Sequence, residues 1–334
     1  MPILNTNIPE LSGFDTGLCL SNLDVLSLRQ DRVNESVLAV LSELAEAIIQ
    51  DAEGDPDTVD SILLSLQSPP DMENSSIADE VFSSVTPVNR EAIRRISVRS
   101  GLYARLLLYR LIQEKMPNKA VKSSPSTLPT TVRGRVAYMP GAFADKAYLR
   151  LTAPLKNPRA DATASFVDAC EEVRGGLCEF CILPLENTHS GRLPAFTRLI
   201  LRYKLQVVAV CDLENGAAEG QTTRFALLRA AEEGQFPAPL TVPSDGDPLY
   251  LEVIHVGDTL DLTDLLVAAE FCDLTLCRVD TLPNYDEMAL GGEDFTSPSF
   301  ACVLNTSEGD LTTFRRFLAL EAPENILTGF YSTV

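Results

Sequence analysis

The feature that most constrains this chain lies between residues 246 and 334, where strand-like alternation and helix-like periodicity take turns in a fixed order. The apolar, β-branched runs "LYLEVIHV", "LTLCRVDTL", "SFACVLNT" and "ILTGFYS" read as strands. "LDLTDLLVAAEF" and "DLTTFRRFLALE" carry apolar residues at three- and four-residue spacing and read as helices. The order is β-α-β-β-α-β, which implies a ferredoxin-like sandwich with both helices on one sheet face.

Residues 132–230 alternate strand and helix differently. "GRVAYM" is a strand and "AFADKAYLRL" a helix; "SFVDACEEVRGG" is a helix ending at Gly175, and "LCEFCILPL" a strand. "LPAFTRLILRYK" is a helix, followed by the strands "LQVVAVCDL" and "TTRFALLRA". Strands separated by helices imply a small sheet of parallel βαβ units. Residues 1–118 read as helical, with a short helix expected at Ser61 to Leu66 and a long one over "NREAIRRISVRSGLYARLLLYRLIQEKM". Residues 119–131, "KAVKSSPSTLPTT", have the composition of a linker. The expected fold class is therefore α+β and multidomain: 1–118 helical, 119–131 linker, 132–230 one α/β lobe, 246–334 the βαββαβ unit.

Within the lobe, "CILPLENTHSGRLPAF" delivers three polar residues, Glu186, Asn187 and Thr188, at the end of an apolar strand. Burying them costs desolvation unless something satisfies them. The stretch reads either as a ligand-binding loop at the carboxyl end of a strand or as a connection in which Asn187, Thr188 or Ser190 caps the helix from Leu193 to Tyr203.

Charge and cysteine usage narrow the function classes. The net charge is −20, and binding to nucleic acid or to an anionic membrane needs basic surface, so neither is expected as a partner. The helical region splits its charge: residues 1–89 hold 16 acidic residues against Arg29 and Arg32, whereas Arg90, Arg94, Arg95, Arg99, Arg105 and Arg110 cluster on the last helix. That helix is expected to pack on an acidic neighbour, within the subunit or between subunits, or to present a solvated face. The eight cysteines sit in apolar surroundings, which suits reduced thiols in a cytoplasmic protein. "CEFC" at Cys178 to Cys181 lacks a second pair for a structural zinc and lies along an expected strand, so it reads as two buried thiols and no metal is expected. No apolar run reaches the ~18 residues of a membrane span.

"RVAYMPGAFADKAYLRL" from Arg135, "SFVDACEEVRGGLCEFCILPLENTHSG" from Ser165 and "TTRFALL" from Thr222 follow one another in the order found in prephenate dehydratases. The chain resembles that family, in the bifunctional type with an N-terminal chorismate mutase and a C-terminal ACT domain. The resemblance implies removal of carbon dioxide and water from prephenate to give phenylpyruvate, in phenylalanine biosynthesis, with no metal or organic cofactor. It makes Thr223 the proton donor of the Thr-Arg-Phe motif, with Arg224 and Phe225 beside it. Asn187 and Thr188 would contact substrate and Glu186 would brace the loop. Gly141, Ala142 and Phe143 match the turn where a helix N-terminus could hold a carboxylate. The implied ligand is a small anionic or aromatic metabolite. The implied assembly is a homodimer, since ACT sheets pair, mutase helices intertwine, and the helices here are apolar enough to need a partner surface.

The chain also departs from the family. Asn187 and Thr223 are 36 positions apart, room for one helix and one strand, where the family carries a whole second lobe. The expected cleft thus has one wall. Residues 1–114 hold no lysine, and Leu44 stands where the mutase pattern expects an arginine. In the ACT-like region Asp280, Thr281, Leu282 and Pro283 keep only the proline of the family's phenylalanine-binding stretch, with Gly257 and Asp258 as the turn. These departures support a second reading, a non-catalytic ligand-binding or regulatory protein; a third, residual chorismate mutase activity, rests on the arginine-bearing helix against the absent lysine.

Overall fold

A computed structural model describes residues 35, 37–67, 101–116, 134–214, 221–232, 236–241, 247–256, 260–282, 299–307 and 309–334, and the structural statements below concern these. The linker, Arg90, Arg94, Arg95, Arg99, Gly257, Asp258 and Pro283 lie outside them.

Ten strands form one mixed sheet in the order β2-β1-β3-β6-β5-β10-β7-β9-β8, with the short β4 paired to β3. The strands are β1 (Arg135–Tyr138), β2 (Arg159–Ala162), β3 (Phe180–Asn187), β4 (Gly191–Arg192), β5 (Leu205–Glu214), β6 (Thr222–Ala230), β7 (Leu249–Val256), β8 (Thr275–Leu282), β9 (Ser299–Asn305) and β10 (Ile326–Thr333). The C-terminal unit shows the order its pattern implies. Its first strand, β7, lies between its fourth, β10, and its third, β9, with β8 at the edge and all neighbours antiparallel.

The lobe keeps parallel units at one end and departs from them at the other. β1 pairs in parallel with β2 and with β3, but β6 is antiparallel to both β3 and β5. The reason is loop length: Glu214 and Thr222 are too close for the crossover of a dozen or more residues that a parallel pair needs, so β5 and β6 fold back on each other. β2 and β4 escaped the sequence reading because they are short and polar. β10 then pairs in parallel with β5, so one sheet runs through both regions.

Eight helices flank the sheet: α1 (residues 37–51), α2 (Pro56–Gln67), α3 (Leu102–Lys115), α4 (Ala142–Leu151), α5 (Phe166–Arg174), α6 (Pro194–Arg202), α7 (Leu262–Phe271) and α8 (Leu311–Glu321). α2 is longer than the Ser61 to Leu66 helix expected, and α3 starts only after Gly101, which is extended and cannot carry a helix through from earlier residues. Ser165 caps α5 by accepting from the Asp168 amide at 3.1 Å.

Strand alternation sends side chains into different cores. Leu251, Val253 and Phe330 join Leu106 and Ile112 of α3 and Phe314 and Phe317 of α8 in a cluster that also takes in Leu41, Leu44 and Ile48 of α1. The apolar face of the N-terminal helices is thus spent on the chain's own βαββαβ unit. Arg105 donates to Glu321 at 2.7 Å, and Arg110 reaches the Phe271 carbonyl and sits 3.8 Å from Asp310, so these two arginines serve the same packing. A second cluster joins α5 and α6 to one face of β3, β5 and β6, and a third joins Ala147 and Leu151 of α4 to the opposite face. No helix among the described residues is long and apolar enough to cross a membrane.

Candidate functional site

The site grows from the registers of β3, β6 and β5. Arg224 on β6 stands directly opposite Glu186 on β3 and Asp212 on β5, so one guanidinium faces a carboxylate on each side. Its Nε and Nη2 donate to Asp212 at 2.8 and 2.9 Å, and its Nη1 lies 2.9 Å from Glu186. The Asp212 hydrogen bonds, against the opposing effect of burial, raise the Arg224 pKa above its ordinary value. Glu186 also binds Arg278 of β8, whose Nε lies 2.8 Å from Asp280.

A second ion pair lies deeper. Arg192 of β4 stands opposite Glu186 in the β3–β4 hairpin and bonds Glu252 of β7. Both side chains are almost fully buried, at 6% and 1% exposure. Burial alone would push the Glu252 carboxyl up, but Arg192, helped by the Thr328 hydroxyl at 2.9 Å, holds it below the usual carboxylate range. Tyr331 donates to the same carboxylate at 3.4 Å. Glu186–Arg278 and Arg192–Glu252 both run from the lobe to the βαββαβ unit, across the seam where β5 meets β10.

The hairpin between them answers why polar residues end β3. The Asn187 side-chain oxygen accepts from the amides of His189 at 3.0 Å and Ser190 at 2.6 Å and closes the turn. Gly191 completes the turn at φ +68°, a backbone that L side chains rarely adopt. Thr188 binds Thr222 twice, donating its amide to the Thr222 carbonyl at 3.0 Å and accepting the Thr222 amide on its hydroxyl at 3.1 Å. The cap reading is corrected: α6 begins after Leu193 with no side-chain cap, because Asn187 is spent on its own turn and Thr188 on β6.

Two cavities open here. One, of about 310 Å³, is lined by Glu186, Asn187, Thr188, Asp212, Arg224 and Arg278 among others. The other, of about 280 Å³, holds Asn187, Thr188 and Thr223 together with His189 and Gln221. The expected residues Asn187, Thr188 and Thr223 are therefore brought together. Arg224 lies on the opposite strand face from Thr223, as alternation dictates. Phe225 is buried in the core against α4, and Gly141, Ala142 and Phe143, at the start of that helix, line neither cavity. Asp212, Arg192, Glu252 and Arg278 were not singled out from sequence. Glu252 carried the clearest signal, a carboxylate inside "LYLEVIHV", since Glu is almost never fully buried unless paired.

The described cysteines are all reduced, and Cys178 and Cys181 are both buried as expected, with Cys178 just ahead of β3. Asp161, Glu172 and Cys178 place ligand-type atoms within 4.8 Å of one another. Burial, then the Glu172 hydrogen bond, pushes the Cys178 thiol up to about 12, and Arg135 already pairs with Asp161. A metal there would have to displace that guanidinium and deprotonate the thiol, so the donor set fits a metal poorly.

Fold and site define a mixed α/β protein whose long sheet is clasped across its middle by one buried ion pair and one partly exposed one. Among solved structures, similar courses of chain include prephenate dehydratase from Streptococcus mutans, 16% identical with a TM-score of 0.45, covering 60% of this chain and 98% of that one. They also include GqqA, described as a novel type of quorum quenching acylase, 18% identical with a TM-score of 0.43 over 60% of this chain and 95% of that one. A third is prephenate dehydratase in complex with L-Phe from Arthrobacter aurescens, 12% identical with a TM-score of 0.42 over 59% and 89%. Likenesses of this size do not place the chain in a family. No protein-family model and no curated protein matches it.

Proposed function

We propose that the chain is a prephenate dehydratase relative of phenylalanine biosynthesis in which the dehydration site has become a structural clasp, and that it acts as a ligand-responsive regulatory protein. The order of the three sequence motifs and the βαββαβ unit, read as an ACT domain, support the descent. One observation carries the loss of chemistry. Arg192, Arg224 and Arg278 are bonded to or face Glu186, Asp212, Glu252 and Asp280, three cations against four carboxylates. A dianionic substrate needs unspent positive charge held in a water-poor site, and here the charge is already neutralised.

The catalytic alternative draws on Thr223, Asn187 and Thr188 sharing one cavity. Incubating purified protein with prephenate and following phenylpyruvate decides between them. The expected result is no rate above the uncatalysed one. Turnover that disappears in Thr223→Val, which keeps the side-chain shape and removes the hydroxyl, would establish the enzyme. The mutase reading finds Arg105 and Arg110 already engaged with the C-terminal helices. The same proposal takes the protein as a cytoplasmic homodimer, supported by Val37, Leu38, Val40 and Leu64, apolar residues that α1 and α2 leave exposed on their outer faces.

A further inference from the structure

A cavity of about 400 Å³ beside α8 shares no residue with the two at the hairpin. We propose that it binds a small organic carboxylate with an apolar, arene-sized body. The helix supplies Arg315 and Arg316, and the turn into β10 supplies Asn325. Arg316 is only 5% exposed; its Nε donates to Asp60 at 2.8 Å, while its Nη1 is buried without a partner. Asn325 is fixed by its oxygen, which accepts from the Val256 amide at 3.1 Å and lies 3.1 Å from His255 Nδ1. That orientation leaves the Asn325 Nδ2 as a second buried donor without a partner. Arg315 lies over the Phe236 ring, 4.1 Å from its centroid, and has no carboxylate partner among the described residues. Burial lowers its pKa, the signature of a cation short of compensation.

These groups select the ligand's head. The buried groups left without a partner at the cavity, Arg316 Nη1 and Asn325 Nδ2, are both donors, so the head they select is an acceptor. Two guanidiniums against the single carboxylate of Asp60 leave room for one negative charge, which is unusual on a chain of net charge −20. Asp60 spends its Oδ1 on Arg316, so the ammonium of an amino acid would have to share that one carboxylate while standing beside two guanidiniums. Phe236, Leu318, Ala322 and Leu327 supply much of the apolar wall, and Thr312 adds a hydroxyl. The apolar groups would gain nothing from a hydrated inorganic anion but bury an apolar body, and the volume falls in the range of small-molecule sites.

The test is calorimetric titration of the full chain with 3-phenylpropionate, its uncharged amide 3-phenylpropionamide, and inorganic phosphate. The expected result is saturable binding of the acid alone. Arg315→Gln should weaken it about tenfold or more, the loss of one charge-assisted contact. Asn325→Asp, which keeps the oxygen, removes the donor and adds a negative charge that repels the acid, should weaken it at least as much, while Thr223→Val leaves binding unchanged and so separates this site from the hairpin. Equal binding of acid and amide, binding of phosphate as tight as that of the acid, no saturable binding, or binding that survives both substitutions would overturn the proposal.

Discussion

Glu252 is the residue on which most depends. It sits in the middle of an apolar strand, fully buried, and is tolerable only because Arg192, Thr328 and Tyr331 converge on it. Removing one partner of a buried pair strands the other, at a typical cost of ~3–5 kcal/mol. Glu252→Gln is therefore expected to lower stability by about that much in urea unfolding. Replacing both Arg192 and Glu252 with apolar residues of similar volume should cost less than the single change. The pH dependence has a definite sign. A carboxyl held below its ordinary pKa of ~4.3 contributes stability that is present above that value and lost as pH falls through the folded one. Wild type should lose this stability as pH drops below about 4, and Glu252→Gln should lack that part of the slope. Glu252 was legible in the sequence as an anomaly, but its partner, 60 positions away on a two-residue strand, was not. The same holds at the hairpin. Asn187 and Thr188 were visible as polar groups needing partners, yet only the fold shows that a turn and β6 supply them.

At the scale of elements, most strand and helix limits followed from periodicity, and the order inside the βαββαβ unit was legible because six elements in that sequence have few ways to pack. Pairing between distant strands was not, since β5 and β10 share no local signal. Their junction turns on Gly329. A Cβ there would meet Val207 at 2.8 Å and the Tyr331 ring at 3.0 Å, where the β5–β10 register also shifts. Val207 belongs to a packed strand and cannot move aside cheaply. Gly329→Ala is expected to destabilise by ~1–3 kcal/mol, as overpacking does. The check is the urea midpoint, together with protease cleavage between the lobe and the βαββαβ unit, which should become faster.

For the molecule as a whole, one apolar cluster joins the N-terminal helices to the βαββαβ unit, and one sheet joins that unit to the lobe. The lobe has its own two clusters, but Tyr331 of β10 packs into one of them and the sheet runs unbroken through both parts, so unfolding should be a single transition. The chain has no tryptophan, so tyrosine fluorescence and far-ultraviolet circular dichroism are the two probes, and their curves should coincide. Two separated transitions would show that the clasp and the shared cluster couple the parts weakly. The dimer is checked by light scattering at micromolar concentration, where a monomer mass would refute it.

β10 fills the gap between β5 and β7, and of the described strands it is the last that a ribosome makes. Until residues 326–333 emerge, a nascent chain carries two partial sheets, each with one long unpaired edge. Such edges accept any passing strand. The growing protein therefore passes through a stage, after β5 and β7 are made and before β10 is, in which it is most vulnerable to aggregation, and chaperone demand should fall abruptly once the keystone strand slides into place.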